Sequence, residues 1–297
     1  MNKNLIPTSR IWPSRKLRGR RAFTLVEMMV VLAVILILSS IALINFNSIL
    51  SISTSSEFSD LASTLVRARA YAMANNTYVW VGIQEVDASY SDAPGVHQSP
   101  TGFGRIAVCA VASNDGTTIY QSGNQTPYNL STATNTTSSS GSPLTVVMPL
   151  RSFNNLHILA HDSLPNSITT NLPGGANSGS SGSSGSNSGA SFYYLDTSSS
   201  TSSNAATTFQ WPLTGTAQYT FGNTPGAAGT VIQFDPRGEA QIVTDDDTNQ
   251  GAESDSILQW IEIDLEPTHG NSVPSTNSTT AAILIDGPSG AVSLYRS

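Results

Sequence analysis

Hydrophobic and polar positions follow three successive patterns along this chain. Residues 23–46 form an apolar run with few polar interruptions, and a helix needs about 20 such residues to cross a bilayer core. Within residues 47–76, apolar positions recur at three- and four-residue spacing, which predicts an amphipathic helix. Over residues 77–297, short runs rich in Val, Ile, Tyr, Phe and Thr are separated by Gly, Pro, Asn or Ser. This last pattern predicts a β-rich globular head, so the predicted fold class is α+β.

One face of the amphipathic helix is predicted to be buried. Its apolar positions are Phe58, Leu61, Ala62, Leu65, Ala68, Ala72 and Met73. The run Thr54-Ser55-Ser56-Glu57 fits a capping box, in which a Thr and a Glu three residues later satisfy free N–H groups at a helix start. One prediction is therefore a break between the apolar helix of residues 23–46 and the amphipathic helix, which would start at this capping box. Asn75 and Asn76 predict the end of the helix, because Asn tolerates the left-handed conformation of a C-terminal cap.

Twelve strands are predicted in the head, over residues 77–83, 105–112, 117–121, 144–150, 191–195, 207–211, 218–221, 231–234, 240–243, 257–265, 281–285 and 291–295. The clearest hairpins are residues 231–240 and 283–292, which each place Pro and Gly between two apolar runs. Inserts rich in Ser, Thr and Gly near 131–142 and 174–204 are predicted to be disordered surface loops. They offer too little side chain to bury to offset the entropy lost on ordering.

Charge divides the chain into a basic tip and an acidic body. Residues 1–22 contain seven of the 13 Lys and Arg residues and no acid, so the remainder carries six bases against all 20 acids. Such a body lacks the basic face that nucleic-acid binding requires, and nucleic acid is not a predicted partner. The basic tip predicts that residues 1–22 stay in the cytoplasm while the head crosses to the periplasm or exterior. The predicted location is the inner membrane, with a single pass.

Two ordinary explanations of the N-terminal segment are a signal peptide cleaved near Ser40-Ile41-Ala42 and an uncleaved signal anchor. Neither gives a purpose to Glu27, the one acid in the apolar run. A carboxylate beside lipid is costly unless a partner offsets its charge. The plainest alternative is a Glu27 side chain that reaches the lipid headgroups without a partner.

The segment Arg21-Ala22-Phe23-Thr24-Leu25-Val26-Glu27, followed at once by the apolar run, resembles the cleavage and methylation signal of type IV prepilins and type II secretion pseudopilins. The resemblance implies that a prepilin peptidase cuts between Ala22 and Phe23, removes a leader of residues 1–22 and methylates the amino group of Phe23. It also implies that Glu27 serves subunit assembly by pairing with the ammonium group of a neighbouring subunit. Two positions depart from the family pattern. Ala22 replaces the usual Gly, and Ile44 replaces a frequent Pro.

Residues 65–83 resemble the passage from helix to first strand in the H-type, FimT-like minor pseudopilins, and the large head is similar to the Verru_Chthon cassette group of prepilin-like proteins. The resemblance implies one long helix that spans the membrane over residues 23–46 and packs its C-terminal half on an antiparallel sheet. It implies a structural minor pilin or pseudopilin, which is not an enzyme and needs no cofactor. Its partners would be the membrane and other pilin subunits in an envelope filament of a type II secretion or type IV pilus-like system. The alternative is a membrane-anchored or secreted binding protein with a β-rich extracytoplasmic head.

Few polar residues of the head suggest chemistry. Asp245, Asp247 and Asn249 alternate as calcium ligands do, but the following Gly comes one position late for an EF-hand, so an acidic, solvated loop is favoured and no metal is predicted. His157 and the pair His161-Asp162 would suit zinc on a helix, or the site of an envelope hydrolase. Their context indicates no helix, and loop or strand-end histidines are favoured.

The single cysteine and three of the tryptophans occupy strand-like apolar runs. Cys109 can form no internal disulfide and is predicted to be a buried structural thiol. Trp80, Trp211 and Trp260 are predicted to be core residues rather than a ligand platform.

Overall fold

The computed structural model describes residues 24–89, 102–116, 144–160, 163–172, 186–187, 190–195, 209–213, 218–221, 229–242, 259–272 and 279–297. For residues 40–54, 186–187, 190–193 and 209 the description covers the backbone alone. The chain divides into two compact units, residues 1–50 and residues 51–297, which are described separately below.

Two helices and twelve strands are present in the described parts of the chain. The helices are α1, Leu25–Asn75, and the four-residue α2, Asn166–Thr169. The strands are β1 Val79–Asp87, β2 Gly104–Ser113, β3 Leu144–Ile158, β4 Ser186–Asn187, β5 Ala190–Leu195, β6 Phe209–Trp211, β7 Tyr219–Phe221, β8 Gly229–Phe234, β9 Ala240–Ile242, β10 Trp260–Pro267, β11 Ala281–Asp286 and β12 Val292–Arg296. The coarse prediction of an α+β protein with a large antiparallel sheet is confirmed.

Helix α1 continues without a break through residues 54–57, so the break predicted at the capping box of Thr54 and Glu57 is wrong. The helix ends where the two asparagines predict. Asn76 adopts a left-handed conformation with φ 50°, and the N–H of Thr77 donates a hydrogen bond of 3.1 Å to the carbonyl oxygen of Ala72. This is the geometry of a Schellman turn, which satisfies a carbonyl group that the helix end leaves free.

The strands form one large sheet in the order β12-β11-β10-β3-β2-β1-β8-β9, to which β5 adds beside β10 and β4 beside β5. Its neighbouring strands run antiparallel, with the exception of the β5–β10 pair. Strands β6 and β7 form a separate two-stranded sheet. Strand β10 therefore joins the C-terminal hairpin to strand β3, which comes much earlier in the sequence.

Eleven of the twelve predicted strands are present, with ends shifted by a few residues. The prediction over residues 117–121 lies outside the described residues, as do the insert near 131–142 and most of the one near 174–204. Strand β3 is much longer than predicted, because it continues past residue 150 to pair with both β2 and β10. The short elements α2 and β4 have no clear pattern in the sequence and were not predicted.

The main core lies between the second half of α1 and one face of the sheet. Six of the seven predicted helix positions are buried there, namely Phe58, Leu61, Ala62, Leu65, Ala68 and Ala72. Met73 is 39% exposed, so its predicted burial is wrong. Its sulfur instead lies over Gly238, a turn residue at the edge of the buried face. On the sheet side the core includes Val79, Val81 and Ile83, at the two-residue spacing of a strand face.

A second core covers the opposite face of the sheet. Trp80 and Cys109 are buried in it, as predicted, together with Tyr219 and Phe221 of the small β6–β7 sheet. The indole Nε1 of Trp80 donates a hydrogen bond of 2.8 Å to the side-chain oxygen of Gln233. The other two tryptophans that were predicted to be core residues, Trp211 and Trp260, are only partly buried.

Two hairpin turns contact each other, although their strands lie at opposite ends of the strand order in the large sheet. The β8–β9 turn contains Gly238, and the β11–β12 turn contains Gly287 and Gly290. The N–H of Ala240 donates a hydrogen bond of 2.7 Å to the carbonyl oxygen of Gly287. These are the two hairpins that the sequence predicts most clearly, but their contact with each other is not visible in the sequence pattern.

Candidate functional site

The predicted processing site lies at the edge of the described chain. Ala22 and Phe23, the predicted cleavage and methylation residues, fall outside the described residues. Glu27, the predicted assembly residue, lies in the first turn of α1. Its side chain is exposed in the single subunit, so the carboxylate is accessible to a cation of another molecule.

Thr24 caps the start of α1, a role that sequence reasoning missed. Its side-chain Oγ1 accepts a hydrogen bond of 3.2 Å from the N–H of Glu27, and its carbonyl oxygen accepts one of 3.2 Å from the N–H of Met28. Thr24 and Glu27 have the spacing of a capping box, and an acid in the first turn also interacts favourably with the helix dipole. The sequence contains this signal, because Thr24 and Glu27 have the same spacing as the capping-box residues Thr54 and Glu57. In the structure the helix starts at the first of these two boxes and continues through the second.

Apart from Glu27, apolar side chains cover residues 25–38 of α1 on every side. Twelve of them are 46–76% exposed: Leu25, Val26, Met28, Met29, Val30, Val31, Leu32, Val34, Ile35, Leu36, Ile37 and Leu38. Because they occupy consecutive turns, they leave no polar face. A helix that is apolar all round is one that other molecules cover.

The predicted membrane-spanning range, residues 23–46, extends beyond residues 24–39, the part whose side chains are described. Within the described residues, none of the helices meets the length and hydropathy of a membrane span.

Of the candidate metal residues of the head, the structure describes His157 alone. His157 lies near the end of strand β3, which agrees with a strand-end histidine and contradicts a helical zinc pair. His161 and Asp162 lie outside the described residues, as do the calcium candidates Asp245, Asp247 and Asn249. The described residues contain no group of three or more His, Cys, Asp or Glu side chains that could hold a metal ion.

His157 instead belongs to a buried polar cluster where the ends of β1, β3 and β10 meet. The side chain of Glu85 is 0% exposed, and its Oε1 lies 2.7 Å from Nδ1 of His157. The same oxygen accepts a hydrogen bond of 3.1 Å from the N–H of Gly104, while Oε2 accepts one of 3.4 Å from the N–H of Ile158. Burial raises the pKa of Glu85, and its hydrogen bonds oppose that rise.

Glu266 brings a second acid to this cluster. It stands directly opposite His157 in the pairing of β10 with β3 and is 8% exposed. Burial raises the pKa of Glu266, His157 lowers it and Glu85 raises it. Sequence reasoning missed Glu85 because it ended the first strand at Ile83, before two polar residues, whereas β1 continues to Asp87.

Comparison with known proteins agrees with the N-terminal signal. A family model described as the prokaryotic N-terminal methylation motif matches residues 17–43. No curated protein and no solved structure matches the chain. The matched residues include Ala22, Phe23 and Glu27 and the capped start of α1. The chain therefore carries a prokaryotic N-terminal methylation motif, which supports processing at its N-terminus.

Proposed function

We propose that this protein is a structural subunit of the minor pilin or pseudopilin kind. A prepilin peptidase would remove residues 1–22, and the processed chain would assemble through α1 into an envelope filament of a type II secretion or type IV pilus-like system. The head would lie in the periplasm or outside the cell and would contact other subunits. We further propose that the protein is not an enzyme and acts by assembly alone.

The observation that carries this proposal is the union of three features in one helix. The methylation motif covers residues 17–43, the helix within it is apolar on every side, and the same continuous helix supplies the buried face of the head from Phe58 to Ala72. A signal anchor needs only the apolar segment. A shared helix that continues into the folded core suits a subunit whose head must be held in a fixed register to its neighbours.

Glu27 would act in this assembly through its charge. After cleavage the ammonium group of Phe23 on a neighbouring subunit would be a matching cation, and a pair of opposite charges in lipid is far less costly than either charge alone. The hydrogen bond from the N–H of Glu27 to Oγ1 of Thr24 caps the helix without needing a second subunit. The two roles are separable because Gln at the same position also suits a capping box but carries no charge.

The first test is mass spectrometry of the N-terminus of the protein purified from its own cell envelope. A chain that begins with N-methylated Phe23 supports the proposal. A chain that begins after Ala42 would indicate ordinary secretion, and a chain that retains residues 1–22 would indicate a signal anchor. Either of these two results would overturn the proposed function and favour an extracytoplasmic binding protein.

A second test separates charge from helix capping. Glu27→Gln should abolish cross-linking between the protein and other subunits that carry the same motif, while processing at Phe23 and the helix start are retained. Thr24→Ala is the matched control, because it removes the cap and leaves the charge. If Glu27→Gln assembles as the wild type does, then the charge of Glu27 has no role in assembly.

A further inference from the structure

The cluster of Glu85, His157 and Glu266 has the composition of an ion pair with one surplus negative charge. Both backbone contacts of Glu85 are N–H donors, one to each carboxylate oxygen, which is the arrangement expected of an ionised carboxylate. The nearest side-chain group is the His157 imidazole at 2.7 Å. The side chain of His157 is 16% exposed and that of Glu85 is fully buried, so solvent screens the pair only weakly.

His157 is the cation that faces both acids. The charged or titratable groups on the surrounding elements are Glu85 and Asp87 of β1, Arg105 and Cys109 of β2, Arg151 and His157 of β3, Glu262, Asp264 and Glu266 of β10, and His269 of the turn that follows β10. Arg151 pairs with Asp60 of α1. Arg105 has other partners, since its Nε donates a hydrogen bond of 2.6 Å to Oδ1 of Asn154. Hydrogen bonds from Ser89 lower the pKa of Asp87, and the charge of Arg105 adds to this lowering. His269 is exposed. Loss of the proton of His157 would therefore remove the positive charge beside Glu85 and leave two buried carboxylates together.

The turn over residues 268–272 contacts two residues beside this cluster, Asn155 and Gly104. The N–H of Thr268 donates a hydrogen bond of 2.8 Å to the carbonyl oxygen of Asn155, and the N–H of Gly270 donates one of 3.3 Å to the side-chain oxygen of the same residue. Asn155 adopts a left-handed conformation with φ 61°, two residues before His157. A Cβ on Gly104 would be 2.1 Å from the carbonyl oxygen of Gly270, so the turn also packs on the start of β2.

We propose that Glu85, His157 and Glu266 form a pH-sensitive latch, which holds the turn 268–272 against the ends of β1, β2 and β3 while His157 is protonated and releases it when that proton is lost. The physical reason is that breaking a buried ion pair on one side leaves an uncompensated buried charge, which is strongly destabilising. Both hydrogen bonds from this turn to β3 go to Asn155, two residues before His157, so the turn would be the first segment to open.

The test is hydrogen exchange of the full chain in detergent micelles, with rates corrected for the pH dependence of intrinsic exchange. Between about pH 5 and pH 8, where histidine changes charge, protection of the Thr268 and Gly270 amides should fall about tenfold, the effect of one pKa unit of coupling. His157→Gln can still donate a hydrogen bond but cannot titrate, so its protection should change less with pH than that of the wild type. His269→Gln, which changes an exposed histidine of the same turn, should keep the wild-type profile.

Two further results decide the proposal if His157→Gln fails to fold. In Glu266→Gln, which removes one of the two acids, the fall in protection with pH should be smaller than in the wild type. The ring ¹⁵N shifts of His157 in the wild-type chain should show both nitrogens protonated at the lower end of the pH range, with loss of a proton in step with the loss of protection. Protection that does not change with pH in the wild type, or that changes equally in His157→Gln, would overturn the latch.

Discussion

The carbonyl oxygen of Gly238 lies so close to the α-carbon of Gly290 that a Cβ atom on Gly290 would be 1.9 Å from it. Gly290 has φ +63°, a left-handed conformation that other residues adopt at a cost. Arg69 of α1 approaches both turns, because its Nε donates a hydrogen bond of 3.3 Å to the Gly238 carbonyl and would be 3.0 Å from the same Cβ. The contact between the β8–β9 turn and the β11–β12 turn thus depends on glycine at position 290, where any side chain would clash.

Substitution of that glycine should be more costly than substitution of another left-handed glycine. Gly290→Ala should lower the free energy of unfolding by more than about 2 kcal/mol, because conformational strain and a backbone clash add. Gly270→Ala is the matched control: Gly270 has φ +59° but no atom within 4 Å of an added Cβ, so the cost should be about 1 kcal/mol. The measurement is chemical unfolding of the full chain in detergent, and equal costs for the two variants would contradict this account.

The buried face of α1 should contribute much of the stability of the head. Phe58→Ala should lower the free energy of unfolding by about 3 to 5 kcal/mol, because it empties a large volume in the main core. Val66→Ala changes a side chain of the same helix that is 47% exposed, and its effect should stay within about 0.5 kcal/mol. If the two variants unfold at the same denaturant concentration, α1 does not pack on the sheet as described.

The single cysteine should report unfolding. Cys109 is buried and burial raises its pKa well above the ordinary value, so the thiol is neither accessible nor ionised in the folded head. Labelling by a thiol reagent should therefore proceed only as fast as the head opens. In the matched variant, Cys109→Ala with Ala70→Cys, the thiol is on the exposed side of α1 and should be labelled at once. Rapid labelling of the native Cys109 would show that the second core is open to solvent.

Glu57 should give stability a measurable dependence on pH. Burial raises its pKa, nearby Asp60 adds to the rise, and Arg151 opposes it. A carboxyl group with a raised pKa contributes stability below its ordinary value of 4.5, and this contribution is lost as pH rises through the raised value. Comparison of the wild type with Glu57→Gln should therefore favour the wild type increasingly as pH falls from neutral to below 4.5. Parallel unfolding curves across that range would refute the assignment.

Periodicity in the sequence was enough to predict the buried face of α1 and most strands. Phe58, Leu61 and Leu65 recur at helical spacing, and each is fully buried. The hairpins at residues 231–240 and 283–292 follow from local turn chemistry, which acts within a few residues. These features depend on residues close together in the sequence, so they can be predicted without knowledge of distant contacts.

Features that depend on distant partners could not be predicted in this way. Glu85 is polar and would be expected to end a strand, yet it is buried because His157 and two backbone N–H groups meet it from elsewhere in the chain. Strand β3 runs on through Asn154 and Asn155 because β2 and β10 flank it. The choice between two capping boxes, at Thr24 and at Thr54, is also set by context, because both have the same local signal.

The pairing of β3 with β10 has a consequence for how the chain reaches its folded state. Leu156, His157 and Ile158 can pair only after Leu265, Glu266 and Pro267 have been synthesised, and these residues lie much later in the sequence. Pairing across such a sequence separation slows folding and leaves apolar surface open in the meantime. Until the C-terminal strands arrive, the Phe58–Ala72 face of α1 lacks part of its cover. A chaperone or a neighbouring subunit that shields this face during synthesis would raise the yield of folded protein.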